Sequence, residues 1–292
     1  MHRFSRLLAT IGAVVLLTGA CSPAGGDDVT TGEQVDQIES SADEATPSAL
    51  RNMTAEGLPE PLVDPSEVIS GGPPPDGIPA IDDPRFLATQ DVDFLEEQEP
   101  VLSLEIGGEA RAYPIQIMIW HEIVNDTVGG SSVTVSYCPL CNTGVAFDRR
   151  LGDRVLDFGT SGKLYQSALV MYDRQTESLW SHFTGEAIAG VLTGEVLERI
   201  PVATVSWEDW LEANPDGLVL SRETGETRPY GDNPYPGYDG EDDPFLFRSE
   251  IDDRLEAKER VLGVGVSSDP TAVVTEKLLA EGTVAFAIEG TE

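Results

Sequence analysis

Basic residues are scarce in this chain of 292 residues, and lysine is the scarcest of them. Lysine and arginine together number 18 against 52 aspartates and glutamates, which gives a formal net charge of −34 at pH 7. The lysines are Lys163, Lys258 and Lys277. Nucleic-acid binding needs basic patches that contact phosphates, so the composition argues against it. Electrostatic docking to anionic lipid is disfavoured for the same reason. We interpret the acidity as a solvated acidic surface, and adaptation to high salt or attraction of cations is the alternative.

Several catalytic motifs are also missing. The sequence has no Gly-x-Ser-x-Gly elbow, no phosphate-binding loop and no His-Glu-x-x-His motif. The stretch HEIVND begins with His121 but has no second histidine one helical turn later, so a zinc peptidase is not expected. Cysteine and histidine occur three times each, which leaves few candidates for ligands and nucleophiles.

The N-terminal region predicts an exported lipoprotein. Residues 1–20 join a basic start to an apolar run that is too short for a membrane helix, as in a secretory signal peptide. The run ends in LTGAC, which resembles the bacterial lipobox, so we predict that Cys21 is acylated and becomes the mature N-terminus. Residues 21–56 hold few large apolar side chains and predict a flexible acidic tether. We expect an exported protein anchored by lipid to the outer face of the cytoplasmic membrane, on the periplasmic or cell-surface side.

Residues 57–292 predict a single domain that is long enough to bury a core. Short alternating or β-branched runs follow one another with glycine turns between them, as antiparallel hairpins require. Helical patterns are few: one begins after Pro114, and another begins after Ser206, whose side chain can cap it. We therefore predict a β-rich α+β fold, a single domain of short antiparallel strands and hairpins with a few short helices.

The stretch SYCPLCNTG contains Cys138 and Cys141, the two cysteines that remain after the predicted processing. Both neighbouring stretches predict strands, so the pair is expected at a hairpin tip and not at a helix N-terminus, where thioredoxin-type pairs lie. Three interpretations are open. A structural disulfide would close a very short loop and stabilise little, a redox pair is chemically allowed, and two thiolates form half of a tetrahedral metal site.

A metal site would need ligands beyond the two cysteines. His121 lies just before the strand that leads to Cys138, so we expect it beside the hairpin tip, where it completes a three-ligand site with Cys138 and Cys141. His182 is a candidate fourth ligand. Met171 is a further candidate if the metal is cuprous copper, although core packing is its alternative role. Copper and zinc are the candidate cofactors.

Other polar and aromatic residues in this part of the chain are candidates for supporting the ligands. A ligating histidine usually donates its second N–H to a carboxylate or a carbonyl, so such neighbours are expected around a metal site. Turn formation or packing is the alternative role for each of them. The candidates are Asp148, Ser161, Tyr172, Asp173 and Trp180.

Three segments are long and specific enough to suggest a family: AYPIQIMIWHEIVNDTVGGSSVTVSYCPLCNTGVAFDRR, FGTSGKLYQSALVMYDRQTESLW and GEAIAGVLTGEVL. They resemble the family called domain of unknown function 3179 (DUF3179), from about Pro79 to the C-terminal region. The resemblance implies an exported or membrane-attached protein of bacteria or archaea, and it implies no mechanism. Many relatives carry glutamine at the position of His182, which weakens that residue as a shared ligand. The motif positions that match are His121, Cys138, Cys141, Asp148, Ser161, Gly162, Tyr172, Asp173 and Trp180.

Three functions remain open at this point. The preferred one is binding of copper or zinc by the cysteine pair and His121, for metal handling or delivery or to hold a catalytic metal. The second is thiol–disulfide exchange, in which Cys138 attacks and the other cysteine resolves. A protein partner that exchanges metal or electrons is a candidate under either function. The third is a binding module whose ligand lies in the loop around Tyr230, Tyr235 and Tyr238.

Overall fold

The computed structural model describes residues 47–264 and 271–281, and every structural statement below refers to them. The predicted signal peptide, the predicted lipid attachment at Cys21 and residues 21–46 of the predicted tether lie outside the described residues. In the part of the chain that is described, no helix is long and apolar enough to cross a membrane.

Strands make up most of the regular structure. The first nine are β1 (Val68–Ser70), β2 (Phe86–Ala88), β3 (Pro100–Ile106), β4 (Glu109–Pro114), β5 (Ile123–Val128), β6 (Ser131–Cys138), β7 (Thr143–Asp148), β8 (Arg150–Leu151) and β9 (Arg154–Val155). The others are β10 (Phe158–Tyr165), β11 (Ala168–Asp173), β12 (Leu179–Ser181), β13 (Ala187–Ala189), β14 (Arg199–Ile200), β15 (Ala203–Ser206), β16 (Leu218–Leu220), β17 (Val261–Val264) and β18 (Thr271–Val274). The α-helices are α1 (Ile115–His121), α2 (Trp207–Ala213) and α3 (Thr275–Glu281).

The strands pair into three larger sheets and two separate hairpins. In spatial order the sheets are β1-β10-β11-β12-β13, β14-β7-β6-β5 and β15-β3-β4-β16-β2, and the hairpins are β8-β9 and β17-β18. Neighbouring strands within these sheets run antiparallel, apart from the parallel pair of β4 and β16. The prediction of a β-rich α+β fold with short antiparallel strands, hairpins and a few short helices is confirmed.

Local sequence signals explain several of these elements. The turn between β3 and β4 uses Gly107 and Gly108 at φ of 61° and 82°, the positive values that a tight hairpin requires. Helix α1 starts directly after Pro114, as predicted. Helix α2 is capped by the Ser206 hydroxyl, which accepts a hydrogen bond from the backbone N–H of Asp209 at 3.2 Å.

The sheet that contains β6 and β7 is buried on both faces. On β6, Val133 and Val135 point into one apolar cluster together with residues of β3, β4 and α1. On β7, Val145 and Phe147 point into a second cluster together with residues of β10, β11 and β12. Side chains alternate between the faces of a strand, so one sheet can serve both clusters. Cys138 belongs to the second cluster, so one end of the cysteine tip is anchored in a packed layer.

The end of the predicted tether is packed against the fold. Ala49 and Met53 are buried against residues of β11, β12 and β13, and the backbone N–H of Leu50 donates to the Glu177 carbonyl at 3.1 Å. A few apolar side chains within this polar stretch are enough to hold it to the sheet. The packed part of the chain thus includes Ala49 and Met53, which precede the domain boundary predicted at Gly57.

Candidate functional site at a cysteine hairpin tip

The two cysteines lie at the tip of the hairpin formed by β6 and β7, as the sequence predicts. Cys138 is the last residue of β6 and pairs with Thr143 at the start of β7, and residues 139–142 form the turn. Asn142 takes a left-handed conformation with φ of 46°, and its side-chain carbonyl accepts a 2.9 Å hydrogen bond from the Tyr137 hydroxyl. This bond ties the turn to the end of β6.

The two sulfurs are free and lie in unequal surroundings. Cys138 is 1% exposed, and its sulfur accepts a hydrogen bond from the backbone N–H of Leu169 on β11 at 3.4 Å. Cys141 is only partly buried, and its thiol lies 3.8 Å from the Cys138 carbonyl, to which it can donate. A reagent arriving from solvent therefore meets Cys141 first.

The two thiols also differ in acidity, and the more exposed thiol is the more acidic one. Burial raises the pKa of the Cys138 thiol well above its ordinary value, and its hydrogen bond with Cys141 raises it further. The pKa of Cys141 is lowered, mainly because Cys138 donates a hydrogen bond to its sulfur and then because Thr143 also donates, while burial opposes the change. Cys141 is thus the more acidic of the two thiols, whereas the sequence-based hypothesis has Cys138 attack and Cys141 resolve.

Glu122 is a buried carboxyl group close to Cys138. It ends helix α1 in a left-handed conformation with φ of 59°, and its carbonyl accepts the backbone N–H of Tyr137 at 2.8 Å. Burial raises its pKa to about 8, with a further contribution from Cys138. Sequence reasoning missed this residue, although its position between His121 and a wholly apolar start of a strand was a usable signal.

His121 has partners other than the cysteines. Its Nδ1 lies 2.7 Å from the Pro79 carbonyl, and its Nε2 lies 2.6 Å from the Tyr230 hydroxyl. Both ring nitrogens are therefore occupied. Burial lowers the pKa of the imidazole, which keeps the ring neutral.

The ring of His182 lies between β6 and β7, the two strands that carry the cysteine tip. Its Nδ1 is 3.0 Å from the Ser136 hydroxyl on β6, and its Nε2 is 3.2 Å from the Thr143 carbonyl on β7. Its backbone N–H donates to the carbonyl of Leu169, the residue whose own N–H contacts the Cys138 sulfur. Burial lowers the pKa of His182 to about 4, so a neutral imidazole bridges the two strands behind the tip.

The three-ligand arrangement expected from Cys138, Cys141 and His121 is not assembled in the structure. Throughout residues 47–264 and 271–281, no three or more His, Cys, Asp or Glu side chains are grouped as a metal ion requires. The physical reason is that both nitrogens of His121 are held by oxygen atoms of other segments. Met171, the alternative soft ligand, lies fully buried in the apolar cluster.

The five candidate supporting residues make their hydrogen bonds elsewhere. Asp148 pairs with Arg150, and Ser161 donates to the Val170 carbonyl across a bulge between β10 and β11. Tyr172 bonds Asp76. The buried Asp173 accepts the Trp180 indole N–H at 2.9 Å and two bonds from Thr176 at 2.7 and 2.8 Å. Among the described hydrogen bonds, none joins these five side chains to His121 or to either cysteine, so they stabilise neighbouring strands and turns.

The tyrosine-rich loop lies against the site. We call residues 230–247 the tyrosine strap. The Tyr230 hydroxyl contacts both His121 and the Thr224 hydroxyl at 2.6 Å, and the Tyr235 hydroxyl donates to Glu122 at 3.3 Å. Burial raises the pKa of the Tyr235 phenol, and Glu122 raises it further. The loop in which the sequence placed a candidate ligand therefore lies against His121 and Glu122, the residues that end helix α1.

The fold and the site define a β-rich domain with a free cysteine pair at a hairpin tip. Comparison with known families then shows that the chain belongs to the family described as "Protein of unknown function (DUF3179)", matched over residues 75–292. The family expected from the sequence is confirmed. No curated protein and no solved structure matched the chain.

Proposed function

We propose that the chain is a thiol–disulfide oxidoreductase in which Cys141 attacks and Cys138 resolves. The observation that carries this proposal is the inequality of the pair: one thiol is partly exposed with a lowered pKa, and its neighbour is buried with a raised pKa. The thiolate is the nucleophile in disulfide exchange, so an exposed and acidic thiol is the expected attacking group. A disulfide across so short a loop is readily reduced again.

The exchange reaction can be written with these two sulfurs alone. The Cys141 thiolate attacks one sulfur of a substrate disulfide, a mixed disulfide forms, and the other substrate sulfur leaves as a thiolate. The Cys138 thiol then gives its proton to water and attacks Cys141, so the Cys138–Cys141 disulfide forms and the second substrate sulfur leaves. Two electrons pass from the cysteine pair to the substrate. The reverse sequence oxidises a substrate dithiol.

The surroundings of Cys138 suit the resolving role. Its sulfur is shielded from solvent, so external disulfides do not compete for it. The N–H of Leu169 donates to the sulfur and stabilises the thiolate when it forms, which partly offsets the cost of burial. The substrates we propose are disulfides or dithiols of exported proteins, because the predicted signal peptide sends the chain to an oxidising compartment.

Trapping of a mixed disulfide tests the order of the two cysteines. Reduced Cys138→Ser protein should capture a small aromatic disulfide on Cys141, since the resolving thiol is missing. Reduced Cys141→Ser protein is the matched control and should react much more slowly, because Cys138 is buried. Titration of the unaltered pair in glutathione buffers should give one two-electron transition. Faster trapping by the Cys141→Ser variant, or no transition, would contradict the proposal.

Binding of copper or zinc is the second candidate function. It is supported by two free thiols that contact each other at one tip, since soft thiolate donors suit cuprous copper and zinc. Elemental mass spectrometry with a free-thiol count should then find one metal per chain, absent from the variant with both cysteines changed to serine. His121→Ala is the control, and we expect it to keep the metal because the His121 ring nitrogens have other partners.

We also propose that the chain is exported and held at the outer face of the membrane by a lipid on Cys21. The support is the basic and apolar start followed by LTGAC in the sequence. Several acyl chains on one residue anchor firmly, because each buried methylene contributes about 0.8 kcal/mol. A labelled fatty acid should be incorporated by the full chain and not by its Cys21→Ser variant. Incorporation by both would contradict lipid attachment at this residue.

A further inference from the structure

The tyrosine strap is fastened directly to the loop that carries the cysteines. The Tyr238 hydroxyl donates to the Leu140 carbonyl at 3.0 Å, and Leu140 lies between Cys138 and Cys141. The same hydroxyl accepts the backbone N–H of Phe245 at 3.2 Å. One phenol group thus joins the cysteine loop to two points of the strap.

The strap is also fastened at both sides of the tip. The Ser167 hydroxyl, in the turn between β10 and β11, donates to the Phe245 carbonyl at 2.5 Å. On the other side, the Trp120 indole N–H of helix α1 donates to the Asp232 carbonyl at 3.2 Å. These contacts, together with the tyrosine bonds to His121 and Glu122, hold the segment across the end of the hairpin.

Lys258, one of the three lysines in the chain, stabilises the strap from outside. Its ammonium group donates to the Glu241 carbonyl at 2.7 Å and to the Tyr238 carbonyl. It also lies 3.9 Å from the centre of the Tyr238 ring, where a cation is attracted to the aromatic face. Lys258 therefore holds in place Tyr238, the residue whose hydroxyl bonds the cysteine loop.

The strap has no apolar core of its own. Between residues 230 and 247 no side chain is fully buried: Phe245 and Leu246 are 43% and 38% exposed, Phe247 is partly buried, and Tyr230 packs against the edge of one apolar cluster. The segment pairs with no strand among the described residues. Segments with few buried apolar contacts open at a lower free energy than the global unfolding of a protein. The strap can therefore leave the hairpin tip while the sheets stay folded.

We propose that the tyrosine strap is a displaceable cover that limits access to Cys141, and that an extended polypeptide substrate displaces it. This inference rests on the proposed disulfide exchange, because it assigns the strap a role in substrate entry. A substrate backbone N–H can donate to the Leu140 carbonyl in place of the Tyr238 hydroxyl. At the Leu140 carbonyl, displacement then replaces one hydrogen bond with another and brings a substrate sulfur to the cysteine loop.

The rate at which a bulky maleimide labels Cys141 in the reduced protein tests this cover. Tyr238→Phe and Lys258→Met each remove strap contacts without touching a buried core residue. Each variant removes two hydrogen bonds, and loss of even one ordinary hydrogen bond changes an opening equilibrium about fivefold, so we expect labelling to be at least about fivefold faster for each variant. Tyr172→Phe is the matched control, because its hydroxyl bonds Asp76 instead of the cysteine loop, and its rate should stay unchanged. Equal labelling rates in all four proteins would overturn the proposal.

Hydrogen exchange separates a moving strap from a loosened cysteine loop. In Tyr238→Phe, backbone amides of residues 230–247 should exchange faster while those of β6 and β7 stay protected. Faster exchange in β6 and β7 would assign the labelling to the hairpin and overturn the cover. Labelling does not depend on disulfide exchange, so the two proposals fail separately. Fast labelling without a mixed disulfide would remove the proposed function, whereas a mixed disulfide with unchanged labelling would remove the cover.

Discussion

The cysteine hairpin and the tyrosine strap meet at one place and are held by different interactions. Strand β6 is hydrogen-bonded on both sides, to β5 and to β7, and its central side chains are buried on both faces. The strap is held by phenol, indole and ammonium hydrogen bonds to its neighbours. Backbone ladders and close packing fix the position of the sulfurs, whereas single side-chain bonds leave their cover free to open.

The difference also separates two functions within one site. A disulfide pair needs both sulfurs at a fixed separation, and a packed hairpin tip provides it. Access to the pair must change when a substrate arrives, and a segment without an apolar core can provide that change. We call the three larger sheets and the residues packed between them the scaffold. The following substitutions test whether the scaffold and the strap are independent, and they are ordered from the largest expected effect to the smallest.

Truncation of the packed scaffold should have the largest effect on stability. Trp180 is fully buried, packs edge-on against Phe158 and donates to Asp173. Trp180→Ala should therefore lower the free energy of unfolding by about 3–5 kcal/mol, as other large-to-small core substitutions do. Urea denaturation at pH 7 measures the change. A loss below about 1 kcal/mol would show that this layer is not a rigid core.

The buried carboxyl of Glu122 should make the scaffold less stable as pH rises. Its pKa is about 8 in the folded protein against an ordinary value of 4.5, so folding holds its proton more tightly. Stability is then greatest below pH 4.5 and falls until about pH 8, by at most about 5 kcal/mol. Glu122→Gln cannot ionise and should remove this fall in denaturation curves at pH 5 and pH 8.

A matched control isolates the effect of burial at Glu122. Glu105 lies exposed on β3, so Glu105→Gln removes one negative charge without removing a buried carboxyl group. We expect the pH dependence of this variant to follow the unaltered protein. Parallel curves for both variants would mean that Glu122 is not protonated in the folded state at pH 5–7.

The buried imidazole of His182 should act in the opposite direction. Its pKa is about 4 in the folded protein against 6.5 ordinarily, so the unfolded chain takes up the proton first on acidification. Stability is complete above pH 6.5 and falls towards pH 4, by about 3 kcal/mol. His182→Gln keeps a donor and an acceptor for Thr143 and Ser136 and should flatten this slope. An unchanged slope between pH 6.5 and pH 4 would contradict the buried neutral ring.

Truncation of the strap should have the smallest effect on global stability. Phe245 is 43% exposed, so Phe245→Ala should lower the free energy of unfolding by less than about 1 kcal/mol. The same urea denaturation that measures Trp180→Ala measures this variant. A loss comparable to that of Trp180→Ala would show that the strap unfolds together with the sheets, and the distinction between scaffold and cover would disappear.

Local patterns in the sequence were sufficient to predict several strands and helices of the scaffold. Alternation and β-branched residues predicted β6, and the Ser206 cap predicted the start of α2. The position of the cysteines at a hairpin tip followed from strands on both sides. These features depend on neighbours within a few residues, which is the range over which sequence patterns are informative.

The contacts of the site depend on residues far apart in the chain. His121 meets Tyr230, which is 109 residues later, so no local pattern could reveal that its Nε2 is occupied. The Leu169 N–H reaches Cys138 across 31 residues and helps to make the two thiols unequal. The burial of Glu122 follows from the left-handed end of α1 and from the strap above it. Tertiary packing therefore decided the roles that residue types alone left open.

The indole of Trp120 gives the strap an optical signal. Of the four tryptophans, Trp180, Trp207 and Trp210 are buried in the scaffold, and Trp120 is the partly exposed one that contacts the strap. When the strap leaves, the Trp120 N–H exchanges the Asp232 carbonyl for water, while the other three indoles keep their surroundings. Tryptophan emission excited at the red edge of the absorption band should then shift to longer wavelength as the fraction of open strap rises. The chain carries its own label for real-time kinetics, with no dye attached.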